Sequence, residues 1–187
     1  MARCNNVRCR VWTLLACLLP AVWALAADTA SVEFSAQISD GSCELTLSET
    51  TLSYGIHRVR DLQAARAVSL LPLTASIQCS GATTPTLSVS GTSYSPASVP
   101  QAVLFRNTDS VASGVGFMVR RDNGGITLGN FYNLSAALVN DMPVTLPAVT
   151  GGSAHNEPLL LGLVRAGNEP VTPGVLKATL TFKVTYE

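Results

Sequence analysis

Few side chains in this sequence could carry out chemistry. His57 and His155 are the two histidines, and each stands alone in a polar stretch, "GIHRV" and "SAHNE". A histidine can act as a general base, but neither lies near a nucleophile or a second ligand in the sequence, so we expect both imidazoles to be solvated. The twelve acidic residues are scattered singly. A catalytic pair of carboxylates, as in a glycosidase, stays open as an alternative, because folding could bring together two acids that are distant in the sequence.

No catalytic motif is present in the chain. It contains neither the Gly-x-Ser-x-Gly elbow of a serine hydrolase nor a glycine-rich phosphate loop. We therefore expect no enzymatic activity, no cofactor and no metal site. A secreted enzyme on a β-rich fold remains the alternative hypothesis.

The first 26 residues have the features of a secretory signal peptide. Arg3, Arg8 and Arg10 precede the apolar run "VWTLLACLLPAVWALA", and Ala24–Ala26 supplies the small-x-small cleavage pattern. A lipoprotein box at Leu14–Cys17 is the alternative, but the apolar stretch before Cys17 is very short. The mature chain, from Ala27, has 161 residues, which favours one domain. It keeps 9 basic and 12 acidic residues, a net charge of −3, and has no basic patch for nucleic acid.

Two cysteines remain in the mature chain, Cys43 and Cys79, because the other three lie in the signal. In an exported protein such a pair is typical of one disulfide bond. A metal site built on the two thiolates is the alternative, but neither histidine is spaced as a further ligand.

Short alternating runs separated by turn residues predict an all-β domain. The runs are "CELTL", "LLPLTASIQC", "TLSVSG", "GVGFMVRR", "MPVTLPAV" and "EPLLLGLVRA". Asn123-Gly124 predicts a hairpin turn after the fourth run, with "ITL" as its return strand. Residues 130–140 are the one stretch that could hold a turn of helix. The pattern predicts a β-sandwich or barrel.

Both ends of the mature chain carry well-formed alternating runs. At the C-terminus the apolar face consists of Leu176, Ala178, Leu180, Phe182, Val184 and Tyr186, and polar residues stand between them. At the N-terminus the apolar positions are Val32, Phe34, Ala36 and Ile38, followed by the polar joint "SDGS". The last strand could lie inside a sheet, paired on both sides. Alternatively, its edge is free, and the N-terminal strand of another copy pairs with it, which would build a fibre.

In these features the mature chain resembles the pilin subunits of chaperone–usher fimbriae. The resemblance rests on the N-terminal alternating run before the first cysteine, on "TLSYG" between the cysteines, and on "ASIQCSG" around the second. It rests also on Gly174, fourteenth from the C-terminus, and on the penultimate Tyr186, with alternation between them.

The resemblance implies an incomplete immunoglobulin-like β-sandwich that a strand from another polypeptide completes. It implies a signal peptide at 1–26, a donor-strand extension at 27–42 and a pilin domain at 43–187. Residues 32–38 would donate the strand, and Gly174 to Tyr186 would line the acceptor groove. A periplasmic chaperone would fill that groove before export, and at the outer-membrane usher the extension of a neighbouring pilin would replace it. Ala36 departs from the glycine that family extensions often carry, which leaves the order of subunits in the fibre open.

The resemblance therefore predicts a structural subunit of a surface fimbrium that supports cell adhesion. An adhesive or tip-adaptor pilin of one domain, binding a host receptor or glycan, is the alternative. A two-domain tip adhesin is disfavoured because this chain has no room for a domain ahead of the pilin module. A secreted coat protein of similar fold is a further alternative.

Overall fold

The structure, a computed structural model, describes residues 42–186 and contains eight β-strands in this range. They are β1 (Cys43–Leu47), β2 (Ala67–Cys79), β3 (Thr86–Gly91), β4 (Leu104–Phe105), β5 (Val115–Arg121), β6 (Val144–Thr145), β7 (Ala154–Arg165) and β8 (Leu180–Thr185). The helical element of these residues is one 3-10 turn, Val59–Asp61. Within them no helix is long and apolar enough to span a membrane. The predicted all-β class is confirmed.

The strands form two antiparallel sheets. The first has the order β1-β2-β7-β5-β4, and the second has the order β6-β3-β8. The long pair β2–β7 runs from Ala67 opposite Val164 to Gln78 opposite Ala154. Pro72 stands where β2 has no partner on its β1 side, since β1 pairs only with residues 75–79. A proline is tolerated there because no ladder hydrogen bond needs its missing N–H.

The main core lies between the two sheets, where alternate residues of each strand meet. β2 contributes Leu73, Ala75 and Ile77, all at most 3% exposed, and β3 contributes Leu87 and Val89. Alternate apolar residues of β5, β7 and β8 complete this core. The period of two in the sequence therefore marks the buried face correctly.

A second apolar cluster covers the outer face of the first sheet, which explains the continuous apolar run of β7. Phe131 packs so closely on β7 that a Cβ at Gly162 would lie 2.2 Å from its ring. Arg120 Nη1 donates hydrogen bonds to the carbonyl oxygens of Asn130 and Phe131, at 2.9 and 2.7 Å. The covering segment thus includes residues 126–139.

Two local predictions fail in this covering segment. "ITL" (126–128) is not a return strand, because the chain leaves the sheet after Gly124 and Gly125, both at positive φ, and crosses its outer face. Residues 130–140 form turns without a helix. In both stretches, packing into the outer apolar cluster around Phe131 overrides the local preference for a strand or a helix.

Cys43 and Cys79 stand opposite each other in the β1–β2 register and form a disulfide, with an S–S distance of 2.07 Å. The bond ties the edge strand β1 to β2. Its sequence separation of 36 corresponds to about 4 kcal/mol of stabilisation in the chain-entropy model.

The C-terminal strand is shorter than its alternation predicts. β8 begins at Leu180, whereas the alternating pattern begins at Leu176. The chain before β8 bonds instead to the loop 107–112: Asn107 N–H donates to the carbonyl of Lys177 at 2.8 Å, and Thr179 N–H donates to the Asn107 side chain at 2.9 Å. Backbone and side-chain groups of this loop take the place of a neighbouring strand here, so regular pairing starts only opposite β3.

Candidate functional site

One edge of β8 has no strand beside it within the described chain. β8 pairs on its other side with β3, with Leu87 opposite Val184 and Val89 opposite Phe182. The edge strand of the first sheet, β1, lies near β8, but no hydrogen-bonded register joins them. The sandwich therefore has a gap between two sheet edges on this side.

The backbone groups of residues 175–179 show which way this edge faces. The hydrogen bonds to loop 107–112 come from Val175, Lys177 and Thr179. Leu176 and Ala178 make no backbone hydrogen bond to any residue of 42–186. Since successive residues of an extended chain point their polar groups to opposite sides, the N–H and C=O groups of the even-numbered residues face the gap. Such a row is a template for another strand.

An apolar groove underlies this edge and consists of two cavities. The larger cavity, of about 480 Å³, includes in its lining Leu47, Leu52, Leu73, Ala178, Leu180 and Phe182. The smaller cavity, of about 340 Å³, includes in its lining Ile56, Val59, Val115, Leu163, Val171 and Val175. Three residues line both cavities: Tyr54, Phe117 and Leu176.

Tyr54 lies at the boundary between the two cavities. Its hydroxyl donates a hydrogen bond of 2.9 Å to the carbonyl of Leu161 in β7, and its ring lies 4.9 Å from that of Phe117. Burial raises the pKa of the Tyr54 phenol, so the hydroxyl keeps its proton and remains a donor. His57 Nε2 lies 2.7 Å from the Tyr54 carbonyl oxygen, so the imidazole is tied to the backbone of Tyr54.

The structure places most of the sequence-predicted groove residues along this gap. Residues that line the cavities are Gly174, Leu176, Ala178, Leu180 and Phe182. Val184 packs on the main core, and Tyr186 is exposed. The predicted donor residues Val32, Phe34, Ala36 and Ile38 lie outside the described residues, as does Glu187.

Position 174 requires a glycine because the chain passes very close to the backbone of the loop 107–112 there. A Cβ at this position would lie 2.6 Å from the backbone nitrogen of Ala112 and 2.8 Å from Val111. Only glycine lets the chain pass this loop and enter the groove wall.

Glu157 is a buried carboxylate outside the lining of the groove, and two basic side chains contact it. Arg121 forms an ion pair with Glu157, whose side chain is 5% exposed, and His155 Nε2 lies 2.9 Å from Glu157 Oε2. Burial alone would raise the pKa of Glu157, but hydrogen bonds from Arg121 and His155 outweigh it and lower that pKa. The solvated state predicted for His155 is therefore wrong. Among residues 42–186 no three His, Cys, Asp or Glu side chains gather as a metal site.

The alternating runs of the sequence do not predict one wall of the groove. The wall carries Leu52, Tyr54 and Ile56, which belong to no regular strand. Their spacing of two within "TLSYGI" is a weak signal for an extended segment. Phe117 lies in the predicted run "GVGFMVRR", but its place in the groove depends on a contact with the distant Tyr54.

A family model described as "Fimbrial protein" matches residues 32–187. The chain belongs to the fimbrial protein family. This is a family of structural pilins and not of enzymes, and membership makes the chain a pilus subunit that polymerises with other pilin subunits in a surface fimbrium. The resemblance to fimbrial pilins is thereby confirmed.

Solved structures share the fold of this fimbrial subunit. An antigen and type I fimbria protein of Burkholderia pseudomallei is 14% identical, with a TM-score of 0.50, and the match covers 78% of this chain and 99% of that chain. A chain from a chaperone–usher pilus, in a study of rod uncoiling, is 15% identical, with a TM-score of 0.52 and coverage of 86% and 97%. A sequence comparison with curated proteins gives no match.

Proposed function

We propose that this fimbrial subunit polymerises by donor-strand exchange, with the N-terminal segment of one copy completing the sandwich of the next. The observation that carries the proposal is the unpaired edge of β8 above an apolar groove. Strand addition to such an edge gives affinity through main-chain hydrogen bonds and specificity through alternate side chains, and chaperone–pilin complexes are a known instance.

The donor face suits the groove. The lining of the larger cavity includes aliphatic and aromatic side chains on both walls, and the donor segment offers Val32, Phe34 and Ile38 on one face. Burial of these three side chains contributes roughly 1.5–3 kcal/mol each, as an upper estimate. The sum is comparable to the net stability of a whole domain, about 5–15 kcal/mol, so strand insertion should stabilise the subunit strongly.

The remaining parts of the pathway are part of the same proposal. Residues 1–26 direct export and are removed, residues 27–42 form the donor extension, and residues 43–187 form the pilin domain. A periplasmic chaperone covers the groove near Gly174 to Tyr186 until the outer-membrane usher joins successive subunits. The assembled fibre at the cell surface supports adhesion.

Deletion of residues 27–39 tests the exchange step. The deleted chain should keep an intact groove but donate no strand, so it should form no fibre, and it should bind a synthetic peptide of residues 27–41. When it is co-expressed with a candidate periplasmic chaperone, a one-to-one complex should still form and protect it from degradation.

Two single substitutions provide a matched control. Phe34→Asp places a charge on the donor face and should prevent fibre growth, whereas Glu33→Gln changes the polar face and should leave growth unchanged. Normal fibres from the deleted chain, or equal effects of the two substitutions, would contradict the proposal.

A further inference from the structure

Exposed apolar side chains cluster at one end of the groove. Ile56 is 99% exposed, Val111 is 70% exposed, and Val59 and Val175 are about half exposed. Ile56, Val59 and Val175 line the mouth of the smaller cavity, and Val111 N–H donates to the Val175 carbonyl at 2.8 Å. We call these four residues the apolar rim. Single exposed apolar residues are ordinary on a protein surface, but a group around one cavity mouth marks an interaction site.

The two cavities determine which way a donor strand runs. The apolar face of the donor segment carries Val32, Phe34, Ala36 and Ile38 in this order. Two large side chains therefore precede the small Ala36, and one large side chain follows it. Tyr54 and Leu176 narrow the groove between a larger and a smaller cavity. Ala36 fits best at this boundary. Val32 and Phe34 then enter the larger cavity, and Ile38 enters the smaller one.

This fit makes the donor antiparallel to the C-terminal segment. In this direction, Ala36 of the donating copy would lie opposite Leu176, Phe34 would lie beside the small Ala178, and Ile38 would enter the smaller cavity. A parallel strand would instead place both large side chains in the smaller cavity. Antiparallel pairing is also the slightly more stable arrangement per residue.

The length of the donor segment then places the donating subunit. Its domain begins at Cys43, five residues after Ile38, and an extended chain spans at most about 3.6 Å per residue. The donating domain must therefore begin within about 18 Å of the smaller cavity, and the exposed apolar surface at that cavity is the apolar rim. We propose that the rim is a second interface, on which the domain of the donating subunit rests; this inference depends on the donor-strand exchange proposed above.

The test compares assembly with peptide binding in the mature chain, residues 27–187. Val111→Ser changes a rim residue that lies outside the cavity lining and keeps its backbone hydrogen bond. The concentration at which half of the chains enter fibres should rise about tenfold, the effect of losing one large apolar contact. Ile56→Ser should raise it as well. Met142→Ser is the matched control, because Met142 is 57% exposed but not at the rim, and it should change nothing.

Peptide binding separates the rim from the groove. Peptide 27–41 is titrated into each variant in a Phe34→Asp background, which cannot donate its own strand. Unchanged peptide affinity in Val111→Ser shows that the domain is folded and the groove intact. Fibre assembly of Val111→Ser at the wild-type concentration, an equal shift in Met142→Ser, or an equal loss of peptide affinity would overturn the second interface. Failure of the peptide to bind the Phe34→Asp chain without rim changes would instead overturn donor-strand exchange itself.

Discussion

The hydroxyl of Tyr54 donates a hydrogen bond to the backbone carbonyl of Leu161, 107 residues further along the chain. This bond fixes a side chain from the irregular segment after β1 onto the central strand β7. Because Tyr54 lines both cavities, the same bond determines where the groove is narrow. Under the proposed donor-strand exchange, the position of this one side chain would determine which donor sequence fits the groove.

A larger residue at position 36 of the donor should bind poorly. Peptide 27–41 carrying Ala36→Leu should bind at least about tenfold more weakly than the natural peptide, because overpacking costs about 1–3 kcal/mol. Isothermal titration against the chain lacking residues 27–39 measures the difference.

The matched acceptor variants locate the clash at Tyr54. Tyr54→Ala should restore binding of the Ala36→Leu peptide, whereas Tyr54→Phe, which keeps the ring, should not. Tyr54→Phe should lower the free energy of unfolding by about 1 kcal/mol through loss of the hydrogen bond. Equal discrimination by all three acceptors would show that Tyr54 does not form the boundary.

Gly174→Ala should destabilise the subunit because the new Cβ would meet the backbone of Ala112 at 2.6 Å. We expect a loss of about 1–3 kcal/mol in the free energy of unfolding, measured by urea titration. Gly129→Ala is the control, since its Cβ would meet nothing closer than 3.8 Å. An unchanged free energy of unfolding in Gly174→Ala would contradict this expectation and would mean that the loop 107–112 can move away from the new Cβ.

Glu157 should make the stability depend on acid pH. Its pKa is lowered in the folded chain, so its contribution is fully present above the unfolded value, about 4.3, and is lost as the pH falls through the folded value. Glu157→Gln should lower the free energy of unfolding by about 1–3 kcal/mol at pH 7.

The pH profile distinguishes this ion pair from simple packing. Urea titrations from pH 7 down to pH 3 should show a steeper loss of stability in the natural chain than in Glu157→Gln. Asp122→Asn is the control, because asparagine can keep the 3.0 Å hydrogen bond that Asp122 Oδ1 accepts from Gly124 N–H, and it should follow the natural chain. Parallel profiles for all three would contradict the role of Glu157.

The sequence predicts the fold wherever one face of a strand is buried. "CELTL" and "TLSVSG" correspond to β1 and β3 at both ends, because alternation directly reports a two-faced environment. Residues 126–128 cross the outer face of the first sheet instead of pairing as a strand, and residues 176–179 bond to the distant loop 107–112. Local preference contains no information about such contacts.

Only part of the groove can be predicted from the sequence, because one of its walls depends on tertiary contacts. Alternation from Leu176 to Phe182 indicates the wall formed by β8 and the segment directly before it. The opposite wall, with Tyr54, has no regular structure, and its position depends on a hydrogen bond to β7.

Amide hydrogen exchange along the C-terminal segment tests donor-strand pairing most directly. The amides of Leu176, Ala178 and Leu180 face the free edge, so they should exchange rapidly in the chain lacking residues 27–39. They should become strongly protected when peptide 27–41 binds or when the mature chain assembles into fibres. Lys183, which pairs with Ser88 in β3, should be protected in every state. If the three edge amides are already protected in the unassembled chain, or remain unprotected in the fibre, no donor strand occupies this edge and the account is wrong.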